Sequence, residues 1–379
     1  MGKLKHALLS ASGSSRWLNC TPSPRLEEKI KSDDSSVYAQ EGTLAHEYGE
    51  TLLKGEVGLI SKRTVKNRIK KFEANELYSQ EMPNQVRKYT DYVIEQFNSI
   101  PEGILDIERK TDLATYIKEG FGTCDSVIIA DGEMEIIDLK YGKGVSVSPE
   151  NNSQLMLYAL GAYDYYEFMY DIHSVKLTIS QPRLNVLESW IISVKDLIKW
   201  GQNEVIPAAD MAFEGKGIQK AGSWCRWCKV KAKCSTIASY SMAVVKEEFS
   251  DPHLLKDSQI LDISKRLPVV LDWAKAVDTY MLKEALGGKK WPGMKLVEGR
   301  ANRKWTDPDE VLQVLRDLDY DDDKIMDAKV KGIPALLKLL GDDFDSTIGS
   351  YVIKPQGKPA LVPDTDKRPE FNNVKNDFK

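Results

Sequence analysis

Glu135-Ile136-Ile137-Asp138-Leu139-Lys140 decides how this 379-residue chain is read. A β-strand sends successive side chains to opposite faces, so Asp138 and Lys140 share a face while Leu139 points into a core. A carboxylate and an ammonium placed this way can serve one reaction centre. The carboxylate oxygens suit a hard divalent cation. The lysine can orient or help deprotonate an attacking water, or steady charge on a phosphate. Alone, Asp-x-Lys is weak, because an edge-strand salt bridge is spelled the same way.

The neighbouring sequence strengthens it. Asp131-Gly132 is a hairpin signal between the β-rich runs 125–130 and 135–140. An antiparallel pairing brings Asp125, at the start of one strand, toward Asp138, near the end of the other. Gly122 lets the backbone turn closely before Asp125. A further β-rich run covers 104–109. After the hairpin, 152–170 reads as a helix, 175–180 and 186–194 as strands, and 195–214 as helix again. Upstream, a short helix ends near Cys20, with Pro22 and Pro24 closing it. A second helix covers 42–54, with His46 and Glu50 on one face. A third covers 84–98, with Val86, Tyr89, Val93 and Phe97 at helical spacing.

After about Ser250 the texture is helical. The pattern gives helices at 254–286, 307–319 and 322–341, with Trp291-Pro292-Gly293 marking a turn. From Pro355 onward, prolines and charges predict an extended or disordered tail. The expected division is therefore 1–245, a helical accessory region 246–354, and a flexible tail 355–379.

Hydrophobic residues make up 42% and charged residues 29%, enough apolar material for a real core. No run of about 18 apolar residues exists, so no membrane span is expected. The N-terminus is too short in apolar residues for a secretory leader, so a cytosolic location is the expectation. Net charge is −4, which excludes a globally basic nucleic-acid binder but not a locally basic one. Lys62, Arg63, Lys66, Arg68, Lys70 and Lys71 form one basic run, and Lys229, Lys231 and Lys233 another. A solvated face is an equal reading of each.

Three of the five cysteines fall in Cys225-x2-Cys228-x5-Cys234. Three thiolates in one loop suit zinc or an iron–sulphur cluster and need a fourth ligand. Cys20 can supply it if the N-terminal helix folds back. Cys124 reads as a small buried hydrophobe.

Taken in order, Gly42-x-x-x-His46, Gly122-x-x-Asp125, Asp138-x-Lys140 and Gln154-x-x-x-Tyr158 resemble the motif set of RecB-like PD-(D/E)XK nucleases, over about residues 10–240. The resemblance implies an α/β restriction-endonuclease-like core, a mixed central sheet flanked by helices, with a mainly helical C-terminal extension. It implies Mg2+ or Mn2+ bound by His46, Asp125, Asp138 and the Leu139 carbonyl, with Lys140 assisting the water. Asp125, Asp138 and Lys140 are then catalytic, and Gln154 and Tyr158 position DNA. One N-terminal and three C-terminal cysteines resemble the iron-staple branch, which includes AddB and the CRISPR-adaptation nucleases. That implies a [4Fe-4S] cluster on Cys20, Cys225, Cys228 and Cys234, with Zn2+ as the alternative. Trp224 and Trp227 would then shield it.

The whole chain resembles a phage and prophage family carrying this core. That implies a DNA exonuclease or end-processing enzyme in phage replication or recombination, acting in the cytoplasm of a bacterial host. Partner classes are DNA and a phage single-strand-binding or annealing protein; a homo-oligomer is compatible with the reading. The alternative is a non-catalytic DNA-binding module with a zinc staple. Glu50 is a possible extra acid near the metal, with a solvated helix carboxylate the better reading, and Glu108 carries the same ambiguity. Arg300, Arg303 and Lys304 beside Trp305 form a candidate DNA contact, against the alternative of an ordinary surface strand.

Overall fold

The computed structural model describes residues 7–30, 37–245, 257–299, 303–326, 330–353, 359–363 and 370. The chain divides into two units, Met1–Trp273 and Ala274–Lys379.

The first unit is built on a five-stranded mixed sheet in the order β1-β2-β3-β4-β5. The strands are β1 (Ile104–Asp112), β2 (Phe121–Ile129), β3 (Gly132–Leu139), β4 (Ile172–Gln181) and β5 (Val186–Ser193). Only β3 and β4 run parallel. The other neighbours are antiparallel. The β2–β3 hairpin has the predicted turn, with Gly132 at φ +94, a left-handed value that favours glycine. Its ladder pairs Ser126 with Ile137, so Asp125 and Asp138 are the next residues along.

The helices are α1 (Ser14–Asn19), α2 (Ser23–Glu28), α3 (Val37–Glu56), α4 (Lys62–Glu73), α5 (Met82–Ser99), α6 (Ser153–Tyr166), α7 (Val194–Trp200), α8 (Ile206–Glu214) and α9 (Ser235–Val245). α6 is the crossover that a parallel pair requires. Its N-terminus is capped by the Asn152 side chain, which accepts from the Gln154 and Leu155 backbone N–H groups. Its apolar residues are buried with Cys124, Val127, Ile129 and Ile136 in the main core. A second cluster joins Tyr89 and Val93 of α5 to Ile128, Ile137 and Leu139. Leu139 thus enters a core as its alternation predicts.

The first helix ends at Asn19, just before Pro22 and Pro24 as expected, and a separate helix α2 follows with Pro24 in its first turn, where a missing N–H costs nothing. Two local readings are corrected. The 195–214 helix is interrupted by a π turn over Gly201–Val205. There Gly201 lies so close to Tyr116 that a Cβ would meet the ring at 2.7 Å. Residues 322–341 are also not one helix, but α12 (Asp322–Ile325) and α13 (Ile333–Leu340), after α10 (Asp257–Leu286) and α11 (Pro308–Asp317).

The second unit has its own apolar cluster, including Val311, Leu315, Ile325, Leu336 and Phe344. It also holds two small sheets that hydrophobic pattern did not signal. β6 (Met294–Glu298) pairs with β9 (Pro359–Pro363), and β7 (Lys304–Trp305) with β8 (Val352–Ile353). Pro359–Pro363, expected in a flexible tail, is therefore a strand. Its prolines lie only at the two ends, so Ala360, Leu361 and Val362 keep their N–H groups for pairing. Trp305 packs against Phe344, ring centroids 6.2 Å apart, so it is a half-buried core contributor rather than an open stacking platform. Arg300 lies outside the described residues. No described helix is long and apolar enough to cross a membrane.

Candidate metal centre and cysteine cavity

α3 carries His46 to the end of the sheet. The imidazole Nδ1 is 3.1 Å from Asp125 Oδ1. The other Asp125 oxygen accepts the Leu139 backbone N–H at 2.8 Å, which fixes the carboxylate across the β2–β3 hairpin. Burial opposes ionisation of Asp125, but the imidazole charge and these hydrogen bonds outweigh it and hold its pKa below the usual range. Burial likewise works against the imidazolium. The Asp125 charge and hydrogen bond, with Asp138 behind them, win and lift His46 to about 9.

Glu108 joins them. His46, Glu108 and Asp125 each offer a ligand atom, all within 4.8 Å of one another, a grouping that could hold a metal ion. Glu108 lies opposite Asp125 in the β1–β2 register, between the pairs Ile107–Ser126 and Arg109–Cys124. Its φ of +55 is left-handed, which is strained for a residue with a long side chain. Burial, then the Asp125 charge, raises its pKa to about 7. The sequence marked Glu108 only as an ambiguous acid, and nothing in its local pattern announces the left-handed backbone. Glu50, the other ambiguous acid, is instead held by Lys54 at 2.6 Å, one helical turn away.

Asp138 stands beside this group rather than in it. It is 2% exposed. Its Oδ1 accepts from Gln154 Nε2 at 3.3 Å, and its Oδ2 lies 2.8 Å from the Lys140 ammonium. Oδ2 has no aligned hydrogen-bond donor among the described residues. Burial, the largest influence, raises the Asp138 pKa although Lys140 pulls it down. Lys140 also donates to Gln154 Oε1 at 3.0 Å. Its own pKa is raised: burial disfavours the charge, but Asp138 and Asp125 outweigh it. Gln154 Nε2 also reaches the Tyr158 hydroxyl at 3.2 Å. Burial, then the Asp138 charge, pushes the Tyr158 phenol far above its ordinary value, so it stays neutral. Gln154 and Tyr158 thus share one face of α6, as their spacing predicts, and Gln154 holds both arms of the Asp-x-Lys pair.

The residues present fit a hard divalent cation. An imidazole and two carboxylates converge, and a third carboxylate has a buried oxygen still lacking an aligned donor.

Cys20, Cys225, Cys228 and Cys234 line one cavity, together with Arg16, Trp224 and Ile237. All four are free thiols. Burial pushes Cys228 up to about 12. Among the described residues the four sulfurs do not form a set within 4.8 Å of one another. Trp224 lines the cavity, but Trp227 does not shield it; it is 74% exposed. Cys124 is fully buried in the main core, as expected.

Fold and site together define a mixed α/β protein with a histidine–carboxylate cluster and a half-buried lysine at one end of its sheet. The chain belongs to the family described as "Protein of unknown function (DUF2800)", whose model matches residues 6–369. Among solved structures, it is similar to the one titled "Crystal structure of SSO0001". The identity is 12%, over 56% of this chain and 93% of that one, with a TM-score of 0.26.

Proposed function

We propose that this chain is a metal-dependent DNA nuclease of the RecB-like PD-(D/E)XK kind, working in the bacterial cytoplasm in phage DNA replication or recombination. The observation that carries the reading is the convergence of His46, Glu108 and Asp125 beside the buried Asp138 and its partner Lys140. Mg2+ or Mn2+, held by His46, Glu108 and Asp125 with Asp138 and the Leu139 carbonyl adjoining, would supply Lewis-acid stabilisation of phosphate charge. The protein's own contribution is charge and orientation. Lys140, 2.8 Å from Asp138 and held by Gln154, is placed to orient the attacking water and to steady negative charge on the phosphate. Gln154 fixes the Lys140 and Asp138 side chains, and Tyr158 fixes Gln154.

The four-cysteine cavity supports a [4Fe-4S] cluster as the structural tie. Protein prepared without air should contain iron and sulphide; zinc without iron would refute that assignment.

The activity test is digestion of end-labelled linear single-stranded and double-stranded DNA with Mg2+ or Mn2+. Wild type should release nucleotides, and Asp138→Ala and Lys140→Ala should not. Equal digestion by all three proteins would sink the site assignment. No digestion by wild type in either metal, with the site intact, would sink the nuclease reading.

A further inference from the structure

α4 has an unusual composition for a helix packed on a protein. Its twelve residues, Lys62–Glu73, hold six cations and one carboxylate. None of its residues is buried. Val65, Ile69 and Phe72 are half-buried toward α3, and everything fully exposed on the helix is polar: Lys62, Arg63, Lys66, Asn67, Lys70, Lys71 and Glu73. No cation of α4 has an ion-pair partner among the described residues. Lys62 and Lys66, and Lys66 and Lys70, are like-charge neighbours four apart, an arrangement unfavourable to the helix itself. The Ser61 side chain, accepting from the Thr64 N–H, starts the helix without using any of these charges.

The packing fixes where this row leads. A Cβ on Gly55, at the end of α3, would meet Val65 at 2.6 Å. Phe72 stacks obliquely on Tyr48, centroids 5.5 Å apart. The two helices are therefore antiparallel. The cation row starts beside the far end of α3 and finishes, at Lys70 and Lys71, at the level of Tyr48, which is about 3 Å along the α3 axis from His46 though on another face of that helix. Lys62, Lys66 and Lys70 repeat at about 6 Å along the axis, comparable to the step between successive phosphates of an extended strand.

We propose that α4 is a phosphate-backbone rail that leads a nucleic-acid strand to the His46 site. This rests on the nuclease reading and adds the surface that holds the substrate. The chemistry recognised is the polyphosphate backbone and not the bases, because no exposed aromatic or apolar group lies on the row. The same absence argues against an acidic protein partner, whose interface would need an apolar centre.

The test compares full-length wild type with the variant Lys62→Gln/Lys66→Gln/Lys70→Gln. A labelled mixed-sequence oligonucleotide is titrated, single-stranded and as duplex, in EDTA over a salt series. Each phosphate contact contributes about 0.7 to the log–log salt slope for single strands. Three lost contacts should therefore reduce the slope by about 2 and weaken binding about 100-fold near 0.1 M salt. The Arg triple variant, which keeps the charges, should bind as wild type. Unchanged affinity and slope in the Gln variant, with wild type binding and cleaving DNA, overturns the rail and leaves the nuclease reading standing. Loss of binding in the Arg variant as well, with both variants folded by circular dichroism, also overturns it. Wild type that neither binds nor cleaves DNA refutes the nuclease reading, and the rail with it.

Discussion

Gly122→Ala should damage the site from behind. The glycine of Gly122-x-x-Asp125 was expected to serve a close backbone turn, but the structure gives it another purpose. A Cβ there would stand 2.7 Å from Tyr158 Cε1 and 3.4 Å from Cδ1. Carbon atoms rest at about 3.5–4.0 Å, so the ring must retreat by roughly 1 Å. It is poorly free to do so: Tyr158 is buried on α6, and its hydroxyl is held by Gln154. Overpacking of this kind costs about 1–3 kcal/mol. Replacing a strand glycine returns about 0.5–1 kcal/mol through the unfolded chain. A net loss of about 1–2 kcal/mol follows, read as a shift of the urea midpoint of the first unit. The displaced ring pulls on Gln154 and so on Asp138 and Lys140. Misplacement near 1 Å costs up to about 100-fold in rate, so cleavage should fall about 10- to 100-fold. Adding Tyr158→Ala should relieve the clash, giving a favourable coupling in the double-mutant cycle. A Gly122→Ala protein as stable and as active as wild type would refute the reasoning.

Glu108→Asn keeps a residue that tolerates the left-handed backbone but removes the carboxylate. Stability should change by less than about 1 kcal/mol, while Mn2+ affinity by calorimetry drops about 10-fold or more; unchanged affinity would remove Glu108 from the site. Mn2+ binding to wild type should weaken as pH falls from 8 to 6. The ion must displace a proton from His46, near 9 in the free site, and increasingly from Glu108, near 7. The His46 proton alone gives about a tenfold change per pH unit, and a flat profile would contradict the pairing of His46 with Asp125. Cys228→Ser should lose iron and sulphide and lower the unfolding temperature; full iron retention would exclude Cys228 as a ligand.

Much of this site is legible in sequence because short-range rules fix it. Asp131-Gly132 sets the hairpin register, and register alone brings Asp125 to Asp138. Helical spacing alone puts Gln154 and Tyr158 on one face. Glu108 was not legible, because its place depends on a left-handed residue inside β1 and on a partner found only once β1 and β2 pair. The purpose of Gly122 was hidden for the same reason: the atom it makes room for lies thirty-six residues later. β9 was hidden by its terminal prolines, which mimic a tail. Trp227 was misjudged because adjacency to cysteines in sequence does not say which way an indole faces.

The cysteine cavity and the candidate metal centre are joined through the N-terminal helices. Cys20 ends α1 and faces the cavity with the three later cysteines. Around it, Thr21 donates to the Lys216 carbonyl at 2.7 Å, Arg25 to the Phe213 carbonyl at 2.6 Å, and Glu27 accepts the Lys229 N–H at 2.7 Å. The three contacts close loops of 195, 188 and 202 residues, long loops where a tie removes the most chain entropy in theory. α1 in turn meets the start of α6 through Ser14 and Ser153, hydroxyls 2.7 Å apart. Ser153 directly precedes Gln154, the residue that holds Asp138 and Lys140. Loosening the cysteine end therefore acts on the site through the seating of α6, not through the ligands themselves. Ser14→Ala separates the two effects: it cuts the contact to α6 while leaving all four cysteines in place. Cleavage should fall about threefold to tenfold, consistent with loss of one hydrogen bond of about 0.5–1.5 kcal/mol, with iron content unchanged. Full activity in Ser14→Ala would show that α6 is seated by its apolar face alone.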